Sequence, residues 1–325
     1  MNKNYSKYII ISIIVSFMTA CVNGQDKESK SNTANSAKES LSPDMSMAWL
    51  GNGAQILING QLLFDLQAKT FKHLNFIKSS SQQLVAYPNG YSMFRFTGQD
   101  QLDIFDIKQA SGISIKIPTW VTGNKESGEE NTIVNIPAWL DEKKLYVYQF
   151  FKQAPNIMAC GVYELDNSRW LNLNKDNCLE TSFFSISKIY SFGNGLVATV
   201  SYAEGQQALD FFQLKLDGKK VQQKLVAMLN IAFSPMQIQR TSDSNYSVVV
   251  PCVLTSTMPM ECEPQKTQSW SVYDLYPQSK KLQARYKTLP QAVYAAPNSD
   301  TLAWIGNNKL CIGKPSQKDA ECVEP

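Results

Sequence analysis

From residue 42 onward the chain alternates short apolar runs with polar breaks. Residues 62–66, 92–96, 102–107, 145–151, 196–201, 208–216, 246–250, 270–275 and 302–305 are such runs. They are rich in Tyr, Phe, Val and Ile and are bounded by Asn, Gly, Ser, Pro and Asp, the pattern of short strands joined by tight turns. Asn89-Gly90, Asn194-Gly195 and Asp217-Gly218 fall between runs and have hairpin-turn chemistry. Few segments have helical spacing. The pattern predicts an all-β fold.

The runs repeat. Ala48-Trp49-Leu50-Gly51-Asn52-Gly53 returns as Ala303-Trp304-Ile305-Gly306-Asn307-Asn308, with a fainter copy at Ala138-Trp139-Leu140. Pro-Asx turns occur at Ser42-Pro43-Asp44, Tyr87-Pro88-Asn89-Gly90 and Ala296-Pro297-Asn298-Ser299. Other strands end in an acid and an aliphatic: Phe64-Asp65-Leu66, Phe105-Asp106-Ile107 and Tyr273-Asp274-Leu275, with looser copies at 162–165 and 212–216. This unit resembles the WD40-like repeat of TolB-type propellers, in which a Ser-Pro-Asp-Gly turn precedes one strand and a Val-Tyr-Asp-Leu-like strand follows. Met45 and Ser299 stand where that turn has Gly. The resemblance implies a β-propeller of about six blades, each of roughly 47 residues. Seven or eight shorter blades, or a β-sandwich, are the alternatives. The last unit, 295–325, looks truncated, and the first strand after residue 41 is expected to complete it.

The N-terminus has a different pattern. A basic flank with Lys3 and Lys7 precedes an apolar run at 9–17 and then Met18-Thr19-Ala20-Cys21. A basic start, a short apolar core and small residues before the cut suit a secretory signal. The run is shorter than the roughly 20 residues that span a bilayer. Met18-Thr19-Ala20-Cys21 resembles the bacterial lipobox, with Met18 in place of the usual Leu. The resemblance implies cleavage after residue 20 and acylation of Cys21. Val22, rather than Asp, follows the cysteine, which by the family's sorting rule implies the outer membrane. Residues 22–41 are Ser-, Asn-, Lys- and Glu-rich with little apolar bulk, so they cannot bury enough surface to fold. As a flexible tether their ends average roughly 25 Å apart. The expected organisation is a signal peptide at 1–20, a lipidated tether at 21–41 and a β-propeller at 42–325.

Charge and cysteines refine this. The 325-residue chain has a formal charge of +3, and removing 1–20 takes Lys3 and Lys7 and no acid, leaving +1. No basic patch argues for nucleic acid. Lipidation leaves an even set of cysteines: Cys160, Cys178, Cys252, Cys262, Cys311 and Cys322. In an exported chain this reads as disulfides. Proximity favours 160–178, 252–262 and 311–322, each worth roughly 3 kcal/mol by loop entropy. A zinc site is disfavoured by spacing, because there is no C-x-x-C pair and one His.

Candidate chemistry is sparse. His73 is the chain's one histidine, and neither a nucleophile elbow nor a phosphate loop is present. Carboxylates could serve glycoside chemistry. The candidates are Asp100, Asp103 and Asp106, which alternate with apolar residues as turn and strand-end residues do, and Glu126, Glu129 and Glu130, in a solvated loop. No calcium loop occurs, and no metal or cofactor is expected. One loop stands out: 251–262 places Leu254, Met258 and Met260 inside the expected disulfide ring, and Met suits adaptable contact surfaces. These three residues are the candidate partner-binding site, with 122–135 next in line. The reading is a lipid-anchored, non-enzymatic scaffold that binds another envelope protein. The alternative is a carbohydrate- or cell-wall-binding propeller.

Overall fold

The structure, a computed structural model, describes residues 40–77, 84–88, 90–122, 132–173, 175–180, 185–203, 206–242, 245–254, 262, 269–315 and 320–325. Cys21, Glu126, Glu129, Glu130, Met258 and Met260 lie outside them. Among the described residues, six four-stranded antiparallel sheets follow one another along the chain. The first holds β1 (Met47–Leu50), β2 (Gln55–Ile58), β3 (Leu62–Asp65) and β4 (Thr70–His73). The second holds β5 (Val85–Ala86), β6 (Ser92–Phe96), β7 (Gln101–Asp106) and β8 (Ser111–Lys116). The third holds β9 (Ile133–Asp141), β10 (Lys144–Phe151), β11 (Ala154–Glu164) and β12 (Arg169–Leu173). The fourth holds β13 (Ser185–Ser191), β14 (Leu196–Ala203), β15 (Gln206–Asp217) and β16 (Lys220–Ile231). The fifth holds β17 (Gln237–Arg240), β18 (Tyr246–Val250), β19 (Trp270–Tyr276) and β20 (Lys281–Leu289). The sixth holds β21 (Tyr294–Ala295), β22 (Leu302–Gly306), β23 (Lys309–Gly313) and β24 (Glu321–Val323). The six blades form a β-propeller, as the repeat implied.

The apolar runs have a simple cause. In each blade successive residues point to opposite faces, and each face meets a neighbouring blade. Leu50 and Leu57 pack toward the second blade, whereas Trp49, Ile56 and Ile58 pack toward the sixth. Leu145 and Val147 face the second blade, and Tyr146, Tyr148 and Phe150 face the fourth. Val248 and Val250 face the fourth blade, and Val249 the sixth. Each neighbouring pair of blades therefore shares its own core, and the cores close into a ring. No blade can bury both faces without two neighbours.

Two expectations are corrected. The sixth blade is complete in itself, and β1 pairs with β2, not with β24. The ring closes through side chains. The Trp49 indole N–H donates to the Tyr294 carbonyl at 3.0 Å, and Lys69 pairs with Glu321 at the surface. Blade six is held locally instead. Cys311 and Cys322 are direct cross-strand partners, and their disulfide clips the three-residue β24 to β23. Leu41, assigned to the tether, is 1% exposed within the core between blades one and six. The folded unit therefore includes it. The remaining disulfides are Cys160–Cys178 and Cys252–Cys262.

The repeats are only partly in phase with the blades. The acid-and-aliphatic ends lie on third strands: β3, β7 and β11 end in Asp65, Asp106 and Glu164, and β19 carries Asp274 two residues before its end. Asp65 and Asp106 cap the turn that follows. The Asp65 Oδ1 accepts from the amides of Gln67 and Ala68, and Asp106 Oδ1 from that of Gln109. The Ala-Trp copies do not correspond. Trp49 and Trp139 lie on the innermost strands β1 and β9, but Trp304 lies on the second strand β22. The turns between first and second strands use Asn in left-handed backbone: Asn52, Asn194 and Asn298 have φ of 58°, 52° and 52°. Asn tolerates this conformation better than most residues.

Candidate functional site

The innermost strands β1, β5, β9, β13, β17 and β21 surround a central channel with a cavity of about 530 Å³. As inner edge strands they pair on one side only, so Pro137 can sit within β9 without losing a ladder bond. One mouth lies where first strands begin and second strands end. There Val134 is opposite Phe150 in the ladder, and Ser185 is opposite Tyr202. Phe96 and Val134 are half-buried at this rim, and Tyr202 is 46% exposed. The rest of the wall is largely apolar, with Ile136, Phe94 and Ile189 among its side chains.

Among the described residues, two lysines and no Asp or Glu line this cavity. Lys152 is exposed at the rim. Lys188 is placed by a β-bulge. The β13–β14 register slips between Ile186 and Lys188, leaving Ser187 unpaired in the ladder. The Ser187 hydroxyl donates to the Val200 carbonyl. A bulge changes the face to which later residues point. Ile186 and Ile189 can then both pack in the core between blades three and four. Lys188 turns to the fifth blade, where its Nζ donates to the Met236 carbonyl at 3.0 Å and lies 4.8 Å from the Tyr190 ring centroid. Solvent in the lumen reaches this side chain, yet protein surrounds it on most sides. That crowding lowers its pKa through desolvation.

Amide groups complete the wall. Gln237 bridges to the sixth blade, with its side-chain carbonyl accepting from the Ala295 amide and its Nε2 donating to the Ala295 carbonyl. Gln149 fixes Asn135 by donating to its Oδ1. Gln239 differs. It is 8% exposed, it lines the channel, and its Nε2 has no hydrogen-bond partner among the described residues. A buried unmet donor carries a penalty of about 1–3 kcal/mol.

The opposite face has a second cavity of about 680 Å³ and a different character. Asn52, Asn194 and Asn298 from the left-handed turns meet Tyr87 and charged residues of the third blade there. Each of its lysines is paired with a carboxylate. Lys143 pairs with Asp166 at 2.9 Å, and Lys144 with Asp141 at 3.2 Å. The hydrogen bonds that Arg169 and Asn167 donate to Glu164 hold its carboxyl below the usual range. The Glu142 carboxylate accepts from the Tyr91 amide.

The residues singled out in the sequence lie elsewhere. Leu254 is 2% exposed in the core between blades four and five, and its amide donates to the Tyr273 hydroxyl. A partner surface cannot be built on it, because its apolar side chain covers the blades below. Met258 and Met260 lie outside the described residues, as does most of 122–135. His73 is exposed on the outermost strand β4. The three aspartates are engaged within blade two: Asp100 with Lys116, Asp103 with Arg95 and Ser114, and Asp106 with its turn. Lys188, Gln239 and Tyr202 were missed. The available signal was Lys188 interrupting Ile186–Tyr190, a run otherwise suited to a buried strand.

No family model and no curated relative matches the chain. Among solved structures it resembles an oligogalacturonate lyase in complex with manganese at 10% identity, covering 89% of this chain and 82% of that one with a TM-score of 0.45. It also resembles an oligogalacturonate lyase from Vibrio parahaemolyticus at 11% identity, over 81% and 88% of the two chains, with a TM-score of 0.44. A β-propeller domain from Myceliophteria thermophila is similar at 10% identity over 83% of each chain, again at 0.44. Likenesses this distant carry no argument about activity, so function must be argued from the site.

Proposed function

We propose that this protein is a lipid-anchored component of the bacterial cell envelope that binds a partner protein without catalysing a reaction. Docking uses the apolar mouth of the channel. The observation that carries this reading is the rim itself: Phe96, Val134 and Tyr202 remain partly exposed around an opening that no described residue fills. Apolar surface at a concave site is where recognition concentrates. The non-catalytic part draws support from the carboxylates. Among the described residues, those with a displaced pKa, Asp44, Asp65, Glu164 and Asp300, are shifted downward, toward the ionised form. A glycosidase acid needs the opposite shift.

The test is site-specific photocrosslinking in intact cells. A photoreactive residue at Val134 or Tyr202 should capture one envelope protein, whereas the same residue at Asn167, on the opposite face, should not. Capture from Asn167 alone would defeat the docking surface. The opposite cavity favours a second reading, glycan binding, because asparagines, an aromatic ring and carboxylates together suit hydroxyl-rich ligands. Retention on peptidoglycan that is lost in Asn194→Leu would support it.

A further inference from the structure

We infer that the central channel is itself a binding site for an amphiphile that carries a carboxylate, with its apolar body along the lumen and its anionic group at Lys152 and Lys188. This deepens the docking reading and rests on the same mouth. Four observations converge on it. The cavity, at about 530 Å³, falls in the roughly 300–1,000 Å³ range of small-molecule sites. Its wall is largely aliphatic and aromatic. Its charges among the described residues are of one sign, two lysines with no carboxylate. Gln239 lines the lumen, and its occluded Nε2 has no hydrogen-bond partner among the described residues.

The arrangement also sets an orientation. Lys152 follows the end of β10, and the Lys188 Nζ reaches the Met236 carbonyl just before β17 begins, so both cations sit at the open mouth. Ile189, Tyr190, Trp49 and Pro137 lie farther along their strands. An entering molecule therefore leads with its apolar end and leaves its carboxylate at the rim. Gln239, two residues beyond Gln237 on β17, lines the lumen alongside the body. Lys188 has used one donor on the Met236 carbonyl and, as an ammonium, has others to give. A single positive charge on each side chain selects an anion, and the narrow apolar lumen selects one with a slender body.

The test uses the full mature chain and three probes: laurate, methyl laurate and dodecyltrimethylammonium, each at concentrations below its micelle threshold. Binding is read by displacement of a fluorescent anionic reporter, 1-anilinonaphthalene-8-sulfonate, and by calorimetry. Laurate should bind, and the cationic probe of similar length should not. Lys188→Met and Lys152→Met should each weaken laurate about two- to fivefold, the scale of an exposed charge contact, and leave methyl laurate unchanged. Gln239→Leu keeps the volume and should weaken the reporter less than either lysine variant does. Equal binding of laurate and its ester overturns the inference, as does laurate binding that ignores both lysine variants. The docking reading fails separately. Loss of rim crosslinks with laurate binding intact removes the partner and keeps the channel site, and the converse removes the channel site alone.

Discussion

Replacing Trp49 or Trp139 by Phe tests how the ring is closed. Both indoles sit on innermost strands and reach back to the preceding blade, Trp49 to the Tyr294 carbonyl at 3.0 Å and Trp139 to the Val85 carbonyl at 3.1 Å. Both side chains are almost wholly buried, at 4% and 0% exposure. The loss of buried carbon should therefore be similar in the two variants, about 1–2 kcal/mol each, well under the cost of truncation to Ala. The carbonyls differ. The bond to Tyr294 is buried, so its orphaned oxygen adds about 1–3 kcal/mol. Val85 is 41% exposed, so water can replace the indole there. Trp49→Phe should lose about 2–5 kcal/mol in all and Trp139→Phe about 1–2 kcal/mol. Equilibrium urea unfolding, with the slope checked for constancy, measures both. Losses equal to within about 0.5 kcal/mol, or a larger loss in Trp139→Phe, would refute the reasoning.

Other outcomes follow from the same structure. Removing the Cys311–Cys322 disulfide by double Ala substitution should cost about 3 kcal/mol and raise amide exchange first in β24; unchanged exchange there would contradict its role as the clip of the last blade. Burial raises the pKa of Tyr146 and Tyr190 and pushes Tyr148 up to about 12. These phenols stay protonated in the fold while the unfolded chain ionises near 10, so their contribution is complete below pH 10 and falls as pH rises toward 12. Alkaline unfolding should then coincide with phenolate absorbance, and a fold still stable well above pH 12 would argue against it. Crowding lowers the Lys188 pKa, so the charged form burdens the folded state at neutral pH. Lys188→Met should raise the melting temperature there, with the gap narrowing as pH climbs toward the usual lysine range. A destabilised variant would show the lysine to be structural. Cys21→Ser should abolish acyl labelling, and persistent label would remove the anchor.

The fold was largely legible because it rests on local chemistry. Asp65 and Asp106, which end β3 and β7, cap turns a few residues away, and the disulfides close local loops. Blade phase was harder. Trp49 and Trp304 share a motif, yet one lies on a first strand and the other on a second, because an Ala-Trp pair fits either strand that is buried on both faces. The completed sixth blade was illegible because β21, of two residues, and β24, of three, are too short to have a pattern. Leu254 misled for a related reason: a Leu in a polar loop reads as exposed, whereas its position after β18 tucks it under Tyr273.

The channel was missed for a deeper reason. Strands in a propeller are committed to stacking, which argues that variable chemistry belongs on the loops. That holds for second and third strands, which are paired on both edges and packed on both faces. It does not hold for the innermost strand, whose inner edge meets no other strand. Such a strand can tolerate a proline, as at Pro137, or a bulge, as at Ser187, without disrupting the sheet behind it. The bulge is what lets one strand keep Ile186 and Ile189 in a core and still turn Lys188 to the lumen side. Strict alternation would put Ile186 and Lys188 on the same face, forcing either the cation into the core or the isoleucines out of it. The irregularity thus separates the two tasks of β13: stacking, which needs apolar residues on both faces, and recognition, which needs a charge where the faces end.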